Sequence, residues 1–172
     1  GRRMFVNVKA YDAGVNLIYE VNPYDATAGT LRGLSYPYLG QGLPDPLPLE
    51  ANEVQVDELV YEMHTSSVEL TGEYHTFHFA LATDRYKDNR IPPYGMAYEA
   101  ARQRNALPVP AYQYGNPEPT GVYNYWDEVT LNPPAGATYA TIDLLYQPTS
   151  WEYIQFLWKA NDGQNTFLAN EG

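Results

Sequence analysis

The sequence contains no cysteine among its 172 residues. Disulfide bonds, thiolate zinc sites, iron–sulfur clusters and haem attached through a CxxCH motif are therefore excluded within this chain. We expect the chain to carry no covalently bound redox cofactor, so that any haem near it would belong to another polypeptide. The absence of cysteine does not fix the cellular compartment.

Positive charge is also scarce. Ten Lys and Arg residues stand against 21 Asp and Glu residues, which gives a net charge of −11. A surface of this sign repels phosphate backbones and anionic lipid headgroups, so nucleic acid and membrane-surface partners are not expected. No apolar run approaches the ~18 residues that span a bilayer, which argues against membrane insertion. The opening residues, GRRMFVNV, lack the apolar stretch of a signal peptide, and we expect a processed or excised segment.

Aromatic residues, proline and glycine are abundant instead, with 17 Tyr, 14 Pro and 13 Gly. This composition suits short strands and loops better than amphipathic helices, and it favours an all-β protein. We expect one domain over residues 1–172, an antiparallel β-sandwich of the Ig-like or jelly-roll-like type with a short C-terminal helix. The strand pattern predicts a core that includes Phe77, Phe79, Leu81, Ile142 and Leu144.

The elements follow from local patterns. Alternating β-branched and aromatic residues on either side of Asp12-Ala13-Gly14 predict a hairpin over 4–21. A capping box at Thr149 and Glu152 predicts the C-terminal helix, with Trp151, Ile154 and Trp158 on its buried face. The remaining predicted elements are strands at 54–70, 73–82, 123–131 and 137–147 and a short helix at 96–104.

A long segment rich in proline and glycine, residues 22–52, shows little periodicity and is predicted to be a loop. Loops of this length in compact domains tend to be functional or to cover another surface, so we expect it to contact a partner protein or a second copy of the chain. An excursion without a specific role is the alternative. The expected contacts are Tyr24, Leu34, Tyr36, Tyr38, Leu39 and Leu47.

Two groups of residues raise the question of a metal. His75 and His78 are three apart in a predicted strand, so they project to opposite faces and cannot bind one metal ion without a bulge, although His64 could join one of them. Asp84, Asp88 and Asn89 offer the hard oxygen ligands of a structural calcium site. Their spacing fits no EF-hand, and acidic turn residues usually bond their own backbone.

Catalytic patterns are missing from the sequence. It shows no Ser-His-Asp order, no glycine-rich phosphate loop and no nucleophile elbow, and its carboxylates are too scattered to nominate an acid/base pair. We therefore expect that the protein is not an enzyme.

One long stretch carries a resemblance to a known family. The segments GEYHTFHFALATDRYKDNRIPPYG and YWDEVTLNPPAGATYATIDLLYQPTSWEYIQFL contain an FHF strand, a KDNRIPP turn and an aliphatic strand that ends in LLYQ before a helix. They resemble a haem-free β-sandwich module found toward the C-terminal end of secreted multihaem c-type cytochromes and related extracellular bacterial proteins. The resemblance covers about two thirds of the chain and implies secretion and an association with electron-transfer proteins.

The residues of the turn have a structural interpretation of their own. Pro92 and Pro93 prevent sheet hydrogen bonding there, and Arg85, Lys87 and Arg90 can meet nearby carboxylates. This predicts a structural seam and not an active site.

Three functions remain open from the sequence. The first is a non-catalytic extracellular docking domain at the cell surface, beside a multihaem cytochrome or in a surface assembly. The second is a carbohydrate-binding module, because Tyr and Trp can stack on sugars. The third is a filament subunit joined by strand donation.

Overall fold

The computed structural model describes residues 2–34, 47–115, 117 and 120–161. Strands predominate in it, accompanied by three short α-helices and two 3-10 turns. The strands are β1 (Arg3–Tyr11), β2 (Leu17–Val21), β3 (Tyr24–Asp25), β4 (Thr30–Leu31), β5 (Glu53–Val54), β6 (Val60–Tyr61), β7 (Met63–Ser66), β8 (Asp84–Asp88) and β9 (Tyr139–Gln147). The helices are α1 (Val68–Thr71), α2 (Tyr98–Gln103) and α3 (Trp151–Ala160), and the 3-10 turns lie at Asp57–Leu59 and Phe79–Leu81.

A five-stranded sheet centred on β1 is the main structural element. β9 pairs antiparallel with all nine residues of β1. β2 pairs with the C-terminal half of β1 and β6 with Met4 and Phe5, so these two strands share its other side. The sheet is mixed because β5 joins β2 in parallel. Two separate ribbons, β3–β4 and β7–β8, complete the strand pairing in the described part of the chain.

The predicted hairpin over 4–21 is confirmed as β1 and β2. Its turn is fixed by Asp12, whose Oδ1 accepts the backbone N–H groups of Gly14 and Asn16 at 2.8 and 2.9 Å. Bonds from the Asn16 side chain and backbone hold the pKa of the Asp12 carboxyl below its usual value. The local polar signal in the sequence was therefore sufficient to place this turn.

The hydrophobic core lies on both faces of the sheet. On one face, a cluster is formed by Phe5, Leu31, Leu34, Val60 and Phe77. On the other face, Val8, Val21 and Leu59 form a second cluster, against which Val129 and Leu131 pack. The all-β prediction is therefore correct in its coarse form, but the sheet is covered by the β3–β4 ribbon, a turn and α3 on one face, and by a turn and an irregular segment on the other. The described residues do not form the predicted pair of packed antiparallel sheets.

The strand predicted over 73–82 was wrong. This segment makes only an isolated bridge, from Ser67 to Glu73, and then curls into the 3-10 turn. The N–H of Phe79 bonds the carbonyl of Phe77 at 2.9 Å, and the N–H of Leu81 bonds that of His78 at 2.8 Å. Because these bonds satisfy the backbone locally, the period-two alternation assumed from the sequence is lost.

Two other predicted strands also differ from the structure. Residues 54–70 are divided among β5, a 3-10 turn, β6, β7 and α1. Residues 123–131 are irregular, with Tyr123 bonded to the carbonyl of Met96, and they lie across the sheet instead of entering it. The strand predicted over 137–147 and the helix predicted over 96–104 are confirmed as β9 and α2.

The predicted core needs correction. Phe77 is buried, but Phe79 is 47% exposed and Leu81 42% exposed, since the turn points them outward. Ile142 and Leu144 are 71% and 62% exposed on β9, which is the outer strand of the sheet.

The C-terminal helix is confirmed as α3, but it uses another face than the one predicted. Tyr153 and Phe156 pack on Phe77, at ring distances of 5.7 and 5.4 Å. Trp151, Ile154 and Trp158, which were predicted to be buried, are 38%, 40% and 81% exposed. The capping box also fails, because Glu152 bonds the buried Arg3 instead of its own helix start.

Candidate functional site

The residues predicted to contact a partner fall in three places. Leu34 is buried in the core cluster on the chain's own sheet, and Tyr24 stands on β3 with 40% of its surface exposed. Leu47 is half-buried, and its carbonyl accepts the N–H of Gly33 at 2.8 Å. Tyr36, Tyr38 and Leu39 lie outside the described residues, so their role stays a prediction.

The predicted calcium ligands bond to groups of the chain itself. Both carboxylate oxygens of Asp88 are held by guanidinium groups, with Arg85 at 2.6 Å and Arg90 at 2.7 Å. Asn89 accepts the N–H of Glu62 at 2.9 Å and donates to the carbonyl of Val60 at 2.9 Å. Asp84 is exposed at the start of β8. Within the described ranges, no group of three or more His, Cys, Asp or Glu residues is placed to hold a metal ion.

The ion pairs predicted for this turn are present in the structure. The three cations of the turn region all meet carboxylates, since Lys87 also reaches Asp57 at 2.7 Å. Asp88 and Asn89 link β8 to the segment around β6 and to Val109, whose backbone exchanges hydrogen bonds with that of Asp88. The stretch from 84 to 90 therefore ties distant parts of the chain together.

A buried ionic network is centred on Glu62. The carboxylate of Glu62 lies 2.8 Å from Arg3 Nε, 2.9 Å from His64 Nε2 and 3.3 Å from Lys87 Nζ. Arg3 itself is 1% exposed and also bonds Glu152 on α3. Burial alone would raise the pKa of Glu62, but Arg3, His64 and Lys87 together hold it well below its usual range.

Two buried histidines extend this network. His64 Nδ1 lies 3.2 Å from His75 Nε2, and both rings are buried. The His75 ring also meets Phe77 and Tyr86 edge-on, at 4.7 and 5.3 Å. Burial, with the neighbouring His64, lowers the pKa of His75 to about 3, so its imidazole is neutral at ordinary pH. Burial also raises the pKa of Tyr86, which keeps its phenol neutral.

The space beside the network is too small for a substrate. The void lined by His64, His75, Phe77 and Ser150 measures about 10 Å³. That is room for no more than one water molecule. Arg3, Glu62, His64 and His75 are brought together from β1, from the β6–β7 region and from the turn after α1, so the arrangement serves to join elements.

Strand β9 presents an uncovered apolar face among the described residues. Side chains at Ile142, Leu144 and Tyr146 share one face of this strand and are 71%, 62% and 55% exposed. Their cross-strand neighbours on β1 include Val8, which is buried under the second core cluster. The apolar face of the sheet therefore continues onto β9 without a covering layer.

A second exposed patch is aromatic. Tyr94 is 84% exposed and meets Tyr125 edge-on at 5.0 Å, and Trp126 beside it is 48% exposed. An open pocket of about 520 Å³ adjoins Tyr94, and its walls include Arg90 and Arg104. Such a combination of a flat ring and polar groups around a concave surface is typical of small-molecule recognition.

Comparison with protein-family models, with curated proteins and with solved structures finds no match. The resemblance described above therefore stays a prediction. Of the helices in the described part of the chain, none has the length and apolar character needed to cross a bilayer.

Sequence reasoning missed the residues that are most distinctive in the structure. In the sequence, Arg3 and Glu62 look like ordinary charged residues of alternating strands. The one signal that Arg3 could be buried is that it shares a face of β1 with Phe5. The exposure of β9 had no signal in the sequence, because a strand with apolar residues on one face looks the same at an edge as inside a sheet.

Proposed function

We propose that the protein is a non-catalytic, extracellular docking domain that uses the outer edge of β9 to join a surface assembly. The observation that carries this proposal is the exposed apolar row of Ile142, Leu144 and Tyr146 on a nine-residue strand. Edge strands of soluble proteins usually carry lysine, proline or bulges that prevent pairing with another chain. β9 has no lysine or proline, and its only charged residue is Asp143.

The buried polar groups support a structural role for the rest of the domain. The side chains of Glu62, Arg3 and the two buried histidines bond to other groups of the chain, and the void beside them measures about 10 Å³. Groups held in this way stabilise one arrangement of the elements and have no access to a substrate. The proposed domain therefore offers a rigid sheet edge to its partner.

The proposed partner class is a multihaem c-type cytochrome or another subunit of the same surface assembly. Its support is the resemblance of the FHF, KDNRIPP and LLYQ segments to the haem-free module of such proteins. The chain has no cysteine, so haem in the assembly would be attached to the partner.

The test uses cells that produce the protein. A photo-cross-linking amino acid replaces Leu144, and the same replacement at the exposed Leu70 on α1 serves as the control. We expect external protease to digest the chain on intact cells, and irradiation to give a cross-linked product from position 144 but not from position 70; haem staining of that product after denaturing electrophoresis would distinguish a cytochrome partner from another subunit of the assembly. A chain that resists external protease while surface markers are digested, or equal products from positions 144 and 70, would contradict the proposal.

A carbohydrate-binding module is the second candidate, and the aromatic patch favours it. The exposed face of Tyr94 could stack on a sugar ring, while Arg104 in the adjoining pocket could bond its hydroxyl groups. A glycan array followed by calorimetry tests this function. Tyr94→Ala should abolish binding, and Tyr112→Ala, which removes a ring 67% exposed outside this pocket, should leave it unchanged.

A further inference from the structure

From the outer edge of β9 we infer that the chain forms a two-fold dimer in which the β9 strands of two copies pair antiparallel and make one continuous sheet. This inference rests on the proposed function, because it names the occupant of the same docking edge. β9 pairs with β1 over nine residues without a shift in register, from Arg3–Gln147 to Tyr11–Tyr139. No described strand pairs with its other side. A strand of this length and regular register can therefore accept a complete second strand.

The uncharged face of β9 favours a second copy of the chain, rather than a basic protein, as its partner. The chain carries a net charge of −11, so a surface that recognised a basic partner would present carboxylates. The exposed face of β9 presents Ala140, Ile142, Leu144 and Tyr146, which are all uncharged. In a two-fold interface each surface meets itself, so it must avoid like charges. The neutral, apolar strip of β9 satisfies this condition within an otherwise acidic protein.

Symmetry restricts the register to a few possibilities. When two copies extend one sheet, the two-fold axis stands perpendicular to the sheet, and directly opposed residues must point to the same face. The axis therefore passes between one residue of β9 and the same residue of the second copy. Centring the pair on Asp143 would place two carboxylates opposite each other, which is destabilising.

Centring the pair on Leu144 removes this conflict. Leu144 then lies opposite Leu144 of the second copy, Ile142 lies opposite Tyr146, and Asp143 lies opposite Leu145. The three exposed apolar side chains of each copy would form one patch of three opposed pairs across the dimer axis. Cross-strand contacts between aliphatic and aromatic side chains are those that stabilise antiparallel pairs. The structure thus points to Leu144 as the centre of the interface.

The first experiment measures self-association. Sedimentation velocity of the whole chain from about 1 to 300 µM should show a monomer–dimer equilibrium in the micromolar range, since one strand pair with six apolar side chains makes a small interface. Leu144→Lys should weaken the dimer at least ~10-fold, because it places two ammonium groups opposite each other. Leu70→Lys is the matched control, since Leu70 is 66% exposed on α1, and it should leave the dissociation constant unchanged.

The second experiment tests the register. Because the chain has no cysteine, single cysteines can be placed without background. Opposed residues of an antiparallel pair have Cα atoms roughly 4.5–5.5 Å apart, within the range of a disulfide. With diamide as oxidant, Leu144→Cys should form a disulfide-linked dimer. Thr141→Cys should not, because Thr141 lies opposite Gln147 in this register, and the two Thr141 residues stand roughly 20 Å apart.

The outcomes of these experiments distinguish the dimer from the docking function and from the extracellular location. A chain that stays monomeric at 300 µM, a dimer that Leu144→Lys does not weaken, or faster cross-linking at position 141 than at 144 would overturn the inferred dimer. A monomeric chain that still gives a haem-staining product from position 144 on cells would leave the docking function standing with another partner. A dimer in vitro whose chain resists protease on cells would instead contradict the extracellular proposal alone.

Discussion

The buried imidazole of His75 should make the stability of the fold depend on pH between about 5 and 7. His75 is 3% exposed, and its pKa in the folded chain is lowered to about 3 by burial and by the neighbouring His64. In the unfolded chain the imidazole is hydrated and has its ordinary pKa of ~6.5. The change that tests this relation is His75→Gln, which keeps a polar group near His64 but removes the titration.

The sign follows from proton uptake. As the pH falls below ~6.5, the unfolded chain binds a proton at position 75 that the folded chain does not bind, so the unfolded state is favoured. The loss approaches ~1.4 kcal/mol per pH unit and continues toward the folded pKa near 3. Between pH 7 and pH 5, His75 alone should therefore cost about 2 kcal/mol of unfolding free energy. Glu62, whose pKa is depressed in the folded chain, keeps its stabilising effect over this window, because it loses it only below its unfolded value of ~4.5.

Urea denaturation followed by tryptophan fluorescence measures the effect at pH 5, 6 and 7. His75→Gln should be less stable than the wild type at pH 7, since it loses ring contacts with Phe77 and Tyr86, but its stability should fall about 2 kcal/mol less between pH 7 and pH 5. The packing loss lowers the free energy of unfolding equally at each pH. It therefore cancels when the pH dependence of stability is compared between His75→Gln and the wild type.

His78→Gln is the control, because the His78 side chain is exposed. It should retain the slope of the wild type. Parallel curves for the wild type and His75→Gln, or an equal flattening by His78→Gln, would refute the reasoning from the buried imidazole.

Four further substitutions test the packing and the buried polar groups, each by the same urea titration at pH 7. Phe77→Ala should cost ~3–5 kcal/mol because the ring is buried, whereas Phe79→Ala should cost under ~1 kcal/mol since its ring is 47% exposed; equal losses would contradict the turn at these residues. Glu62→Gln should cost ~3–5 kcal/mol because it removes the buried carboxylate that Arg3 and Lys87 share and takes from the buried Arg3 one of its carboxylate partners; a neutral result would show that the network is dispensable. Asn22→Ala should cost ~2–4 kcal/mol, because the fully buried side chain bonds three backbone groups and the residue has φ +49°; a loss under ~1 kcal/mol would exclude this role.

Features that depend on local chemistry could be predicted from the sequence alone. Asp12 and the residues after it set the hairpin turn by bonds within five residues. The alternation over 139–147 and the helical pattern over 151–160 each belong to one segment, so they predicted β9 and α3. The missing cysteine excluded whole classes of cofactor site. The cations of the turn region were expected to meet carboxylates, and the pairs with Asp88 and Asp57 confirm it.

Features that depend on which segments meet were decided only by the tertiary structure. Arg3 and Glu62 are 59 residues apart in the chain, and nothing local indicates that their side chains will pair in a buried network. The helix α3 has apolar residues on more than one face, and the position of Phe77 selects Tyr153 and Phe156 as the packed pair. Strand β9 is the outer strand because β1 is already paired on its other side by β2 and β6, and its apolar face is exposed. An apolar residue is buried only when another element covers it, and the sequence of a single strand carries no information about that neighbour.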